Sequence, residues 1–160
     1  MVNELGAAPN DRNHYHADHV ALIRESYRRR LGWELLPGDW SKLEAAKMIY
    51  EGPFVVVSHN TATDPIFNYA NRIALDLFEM TWAEFTALPS RCSAEPPTQT
   101  ERSRLLAEVT ANGFIDHYSG VRASKTGKRF EIQNVKVWNL AHPDGTYAGQ
   151  AAAYSDWTFL

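Results

Sequence analysis

The sequence lacks the features that mark several whole classes of protein. Cysteine occurs once, at Cys92, so an internal disulfide is excluded and a reducing compartment is expected. No apolar run approaches the roughly 18 residues that a membrane-spanning helix needs. The opening residues, MVNELGAAPNDRNHYH, have no apolar stretch behind positive charge. A signal peptide is therefore not expected, and cytoplasmic residence is the default. Basic residues are not in surplus: 16 Lys and Arg stand against 19 Asp and Glu, a formal net charge of −3. That balance argues against a strong nucleic-acid binder. The one basic run, Arg28-Arg29-Arg30, reads as the solvated last turn of a helix, where cations suit the dipole; a phosphate or partner contact is the alternative. Phosphate-cradling glycine loops, a Gly-x-Ser-x-Gly elbow, internal repeats and low-complexity segments are all missing.

What remains is an ordinary globular composition. The chain has 160 residues, 44% apolar and 22% charged, enough for one domain with a real core. Residues 1–15 are polar, with Gly6 and Pro9, and are expected to be disordered. Residues 16–52 read as a helical segment. Val20, Ile23, Tyr27 and Leu31 recur at helical spacing, and Gly32 suits a left-handed cap. A second helix follows the capping box Ser41-Lys42-Leu43-Glu44, with Leu43, Ala46 and Tyr50 facing inward.

Residues 53–158 read as the main domain. Phe54 to His59 is a β-branched run bounded by breakers, and Ile66 to Tyr69 suits a second strand. Asn71 is a good helix cap, and Ala74, Leu77 and Phe78 form the apolar face behind it. Thr81-Trp82-Ala83-Glu84 is a capping box, as is Thr98-Gln99-Thr100-Glu101, whose helix carries Leu105, Leu106 and Val109 to Asn112-Gly113. Three strands remain, Phe114 to Ala123, Arg129 to Leu140 and Tyr147 to Trp157. Short glycine-bearing turns join them, which predicts antiparallel hairpins. The whole is an α+β layer: a five-stranded antiparallel sheet, short helices on one face, and leading helices as cover for the other.

Catalytic signals are weak. Ser58 and His59 are adjacent, so on a strand they point to opposite faces and cannot act as nucleophile and base. His14, His16 and His19 lack a strong metal-binding spacing and read as solvated. His59, His117 and His142 read as isolated turn or surface histidines. Cys92 sits in Pro89-Ser90-Arg91-Cys92-Ser93-Ala94, without the Asn-Cys-Arg-Phe-Leu-Gln context of a flavin-reactive cysteine, and reads as a partly buried thiol.

Binding signals are better. Gln150, Ala152 and Tyr154 share one strand face, and the alanines leave room either for a close-packed helix or for a ligand. Asn134 interrupts an apolar strand and must find partners, either backbone or a bound molecule. Asn68, Tyr69, Phe78, Trp82 and Arg91 are placed to complete such a cavity. Arg91 or Arg122 suits a carboxylate, since guanidinium binds one bidentately.

The order of elements resembles the PAS fold, most closely at Phe67-Asn68-Tyr69-Ala70-Asn71, at the turn Asp144-Gly145, and at Ser155-Asp156-Trp157-Thr158. The wider set of motifs is similar to the MEKHLA domain, a PAS-related family found as stand-alone bacterial proteins and at the C-terminus of plant homeodomain–leucine-zipper transcription factors. These motifs are SYRRRLGWELLP, SHNTATDPIFNYANRIALDLFEMTWAEF, LPSRCSAEPP, GFIDHYSGVR and VWNL, and the likeness covers about residues 16–157. It implies a non-catalytic sensory or regulatory module. The implied pocket lies between the sheet and the short helices, with Asn68, Tyr69, Phe78, Trp82, Arg91, Asn134, Gln150 and Tyr154 as its ligand contacts. It names no cofactor. With no output domain expected after the last strand, the signal would pass through a homodimer formed by the N-terminal helix or through a partner protein. Two alternatives stay open: a small cofactor-free enzyme using Tyr154, His117 or Arg91, and a ligand-free protein–protein adaptor.

Overall fold

The computed structural model describes residues 5–94 and 96–160, apart from the side chains of residues 96–99. A 3-10 turn, Asp11–His16, leads into α1 (Ala17–Leu31), then α2 (Lys42–Tyr50), β1 (Val55–His59), β2 (Phe67–Ala70), α3 (Arg72–Phe78), α4 (Trp82–Phe85), a second 3-10 turn Ser90–Ser93, α5 (Pro96–Asn112), β3 (Phe114–Ala123), β4 (Arg129–Ala141), β5 (Tyr147–Tyr154) and β6 (Asp156–Phe159). The strands form one antiparallel sheet in the order β2-β1-β5-β4-β3, with β6 also on β4. This is the expected α+β sandwich of a sheet between two helical layers. None of the helices among the described residues is long and apolar enough to cross a membrane.

The helix α1 covers one face. Its stripe Val20, Ile23, Tyr27 and Leu31 is buried. Trp138 of β4 packs under it, edge-on to Tyr27 at 4.8 Å, and its indole N–H donates to the Ile23 carbonyl at 3.2 Å. The helix stripe is therefore buried within the chain, the covering role expected of the leading helices, and is not free to form the homodimer also expected of this helix. Gly32 closes α1 at φ 87, as its position predicts. On α2 the inward residues are Ala45, Ala46, Ile49 and Tyr50, while Leu43 is exposed, contrary to expectation. Only the Ser41 half of the anticipated capping box forms.

Two asparagines depart from their sequence reading. Asn71 stands at the start of α3 without capping it. Its side chain, fully buried, accepts from Val56 N at 3.1 Å and donates to the Ile49 and Phe54 carbonyls at 3.0 and 2.6 Å. It joins α2, β1 and α3. Asn134 is exposed on a left-handed backbone at φ 51 and donates to Asp156 at 3.4 Å. The buried amide expected there does not exist.

Opposite that left-handed residue, the predicted last strand is divided. Gln133 pairs with Asp156 on one side of the break, and Lys136 with Ala153 on the other. The register is the same on both sides, so the break alters only which face side chains take. Ile132 and Val135 are three apart, which on an unbroken strand puts them on opposite faces, yet both line the same cavity. The expected single strand is thus β5 and β6, separated at Ser155.

The stretch expected to be disordered, as far as it is described, is seated on the domain. Asn10 caps the first 3-10 turn by a full capping box, and Trp82 donates its indole N–H to the Gly6 carbonyl at 2.9 Å. Thr81 and Glu84 form the capping box predicted for α4. The box expected at Thr98 to Glu101 lies outside the described side chains.

Candidate ligand-binding site

On the sheet face away from α1, a cavity with about 70 Å³ of free space lies between the sheet, α3 and α5. Strand alternation builds its floor. Val57 and His59 come from β1, Gln150, Ala152 and Tyr154 from β5, Val135 and Val137 from β4, and Tyr118 and Arg122 from β3. The helices close it with Phe78 from α3 and Arg102, Leu105, Leu106 and Val109 from α5. Phe78 is held edge-on to Phe130 at 5.3 Å and against Phe85 at 5.5 Å.

Most of the wall is apolar, so its polar groups stand out. Arg102 and Arg122 are each 8% exposed. Arg102 donates to Ser90 Oγ at 2.6 Å. Arg122 donates to the Tyr118 hydroxyl at 3.1 Å and to the Val121 carbonyl at 2.9 Å, and lies over the Tyr118 ring. Gly120 makes this pair feasible: a Cβ there would sit 2.3 Å from the Tyr118 hydroxyl. Among the described residues, neither arginine forms a salt bridge. Burial, and then the like charge of Arg122, bring the Arg102 pKa down to about 10.

His59 and Gln150 face each other across β1 and β5. The His59 ring donates from Nδ1 to the Asn60 carbonyl at 3.0 Å, and its Nε2 has no partner. Gln150 donates to Asn139 Oδ1 at 2.9 Å and to Thr110 Oγ1 at 3.3 Å, and its Oε1 has no partner. Burial lowers the His59 pKa, so the ring is neutral near pH 7. Burial raises that of Tyr154 and keeps its phenol protonated.

Of the residues singled out from sequence, Phe78, Arg122, Gln150 and Tyr154 meet in this cavity. The others lie elsewhere. Asn68 faces a second pocket beside His19 and His142. Tyr69 is buried against His19 and Trp82. Trp82 stacks on His16. Arg91 is exposed and paired with Asp64 at 3.1 Å. Asn134 borders a surface pocket near Ser155. Cys92 is exposed, not partly buried. His59, read as a surface residue, is 7% exposed.

Sequence reasoning missed Arg102 and His59, although both carried a signal. Arg102, Leu105, Leu106 and Val109 recur at the spacing of one helix face, so an arginine stands within the inward stripe. His59 alternates with Val57 and Val55 on β1 and shares a face with both.

The MEKHLA domain model matches residues 17–159. Curated relatives include the homeobox-leucine zipper protein ATHB-14 of Arabidopsis thaliana, 21% identical over 146 residues. Another is HOX10 of Oryza sativa subsp. indica, 22% identical over 139 residues. The matches cover 88% and 86% of this chain, but the chain spans only 17% of the length of each relative. Among solved structures, the chain is similar to a PAS domain from Colwellia psychrerythraea, with TM-score 0.60, 13% identity, and 72% and 92% of the two chains covered. It is also similar to the light-state dimer of the fungal blue-light photoreceptor Vivid, with TM-score 0.61, 15% identity, and 86% and 93% covered. At these identities the structural likeness establishes the fold.

Proposed function

The chain belongs to the MEKHLA domain family, and on that premise we propose that it is a non-catalytic, PAS-like sensory module that binds a small molecule in the cavity between the sheet and α5. The carrying observation is the pair Arg102 and Arg122, buried in an apolar cavity without a salt bridge among the described residues. Buried charge is costly unless compensated, and an anionic occupant would compensate it.

The enzyme alternative has its groups in three separate places. Tyr154 lies in the cavity, His117 is exposed beside Asp116, and Arg91 is engaged with Asp64 outside. The signal passes to a second copy or to a partner protein. Because the inner stripe of α1 is occupied, the contact surface uses the outer side of the helical cover, where Trp33, Leu43 and Met48 are exposed.

A thermal-shift screen of anionic metabolites, flavins and haem tests this reading. A ligand at a hundred times its Kd stabilises the fold by about 2.7 kcal/mol, or roughly 5–10 °C for a chain of this size. No shift with any compound at saturating concentration overturns the reading.

A further inference from the structure

Hydrogen-bond polarity can be passed along the cavity wall from backbone groups whose role is fixed. The Val109 carbonyl can only accept, and it receives the Asn139 side chain at 3.1 Å. The atom of Asn139 that faces Val109 is therefore Nδ2, and Oδ1 faces Gln150. Gln150 must then present Nε2 to Asn139, which leaves Oε1 turned away. The Asn60 carbonyl likewise can only accept, so the His59 proton is on Nδ1. In a neutral ring, Nε2 is then a bare lone pair.

Two buried acceptors thus stand side by side; His59 would answer the Gln150 oxygen itself only as an imidazolium protonated at Nε2, the form that burial disfavours. Their residues are directly opposed on β1 and β5, which puts the Cβ atoms roughly 5 Å apart. One group with two hydrogens answers both. The same cavity holds two guanidinium groups, which present only donors and positive charge. A cationic amine would add a third positive charge to this enclosure, so the two-hydrogen donor is uncharged.

Resting on the reading that the cavity binds a ligand, we infer that the ligand is a small carboxylate that also carries an uncharged NH2 group, that is, a short-chain carboxamide acid. Its carboxylate meets Arg102 and Arg122, and its amide hydrogens meet His59 Nε2 and Gln150 Oε1. The free space of about 70 Å³ keeps the body short; an apolar cavity about twice that size is what accepts benzene. His59, Arg102, Leu106 and Gln150 also line a surface pocket of about 320 Å³. They form the partition between cavity and solvent, and so the route in.

Calorimetric titration of the purified chain with oxamate, malonamate and succinamate tests this. At least one should bind, and its N,N-dimethyl amide should bind at least tenfold more weakly, as should the carboxylate lacking the amide. In a Gln150→Leu, His59→Phe double variant the preference for NH2 over N(CH3)2 should disappear. Retained folding of that variant is checked by circular dichroism. Equal binding of the amide and its dimethyl analogue shows that the two acceptors face only water and overturns the inference. So does a lack of binding by all three amide acids. If the wider screen then finds another ligand whose binding Phe78→Trp blocks, the cavity reading stands and the ligand class alone falls.

Discussion

The imidazole Nε2 of His19 on α1 lies 2.9 Å from the hydroxyl of Ser58 on β1. That hydroxyl is in turn 2.5 Å from Asn68 Oδ1 on β2. An amide oxygen only accepts, so Ser58 gives its proton to Asn68 and His19 donates from Nε2. The arrangement ties the helical cover to the sheet and leaves the serine without a base.

Burial, and then the nearby charge of His16, lower the His19 pKa from 6.5 to about 4. The unfolded chain takes up this proton near pH 6.5 and the folded chain only near 4. The contribution to stability is therefore complete above about pH 6.5 and is lost as pH falls toward 4. Between pH 7.5 and 5 the loss should be about 2 kcal/mol. His59 shifts in the same direction and adds to it. Urea melts at the two pH values measure the difference. His19→Gln, which keeps a donor and cannot titrate, should flatten the profile; an unchanged slope would remove His19 as the cause.

Asn71 should be the polar residue most costly to replace. Its side chain satisfies three backbone groups of α2, β1 and the turn between them, and it is fully buried. Asn71→Ala leaves those groups without partners, at about 1–3 kcal/mol for each buried orphan. We expect a total loss of roughly 3 kcal/mol or more. Asn71→Asp should be no better, because a carboxylate cannot donate to the Ile49 and Phe54 carbonyls. Thr81→Ala removes a true cap and should cost only about 1 kcal/mol. Chemical denaturation of the three variants gives the comparison, and an Asn71→Ala cost as small as that of Thr81→Ala would refute it.

These two residues show what was legible in the sequence. Several local signals were read correctly: the helical stripe of α1, the Gly32 cap, the Thr81 box and the hairpin turns, although the box at Ser41 forms only in half. The fold followed, because alternation and periodicity fix which faces are buried. Asn71 was misread because a cap and a cross-layer bridge begin with the same residue at the same position; only the packing of α2 distinguishes them. The site was less legible for the same reason. Gln150 and Tyr154 were placed by strand alternation and Phe78 by helical spacing, but Arg91 and Arg102 are both arginines near one loop, and only their contacts separate an exposed ion pair from a buried charge. Asn134 was read as an interruption of the core when it is the hinge of a strand.

Gly149 on β5 lies tight against β1. It has φ 121, and a Cβ there would lie 2.2 Å from the His59 carbonyl oxygen. The contact is with backbone, so no side-chain rotation relieves it. Gly149→Ala should cost about 3 kcal/mol or more and displace His59 from the cavity wall. Gly145 also has positive φ, at 90, but open space around it, so Gly145→Ala should cost only about 1 kcal/mol. Thermal melts separate the two, and similar losses would mean that strand β1 gives way more easily than a paired strand should.

Asn134 offers the sharpest test of how the cavity floor is built. Its left-handed backbone lets β4 bring both Ile132 and Val135 to the cavity side while the register with β5 and β6 is kept. Asn134→Gly satisfies that backbone without strain and should leave stability within about 0.5 kcal/mol. Asn134→Val places a β-branched residue at positive φ and should cost about 1–3 kcal/mol. If the strand instead relaxes into regular alternation, one of Ile132 and Val135 must leave the cavity. The amide proton shifts of Ile132, Val135 and their neighbours would then move together in a nitrogen–proton spectrum of the valine variant, and those of the glycine variant would not. Matching spectra for the two variants would mean that the left-handed residue does not set the facing of the strand.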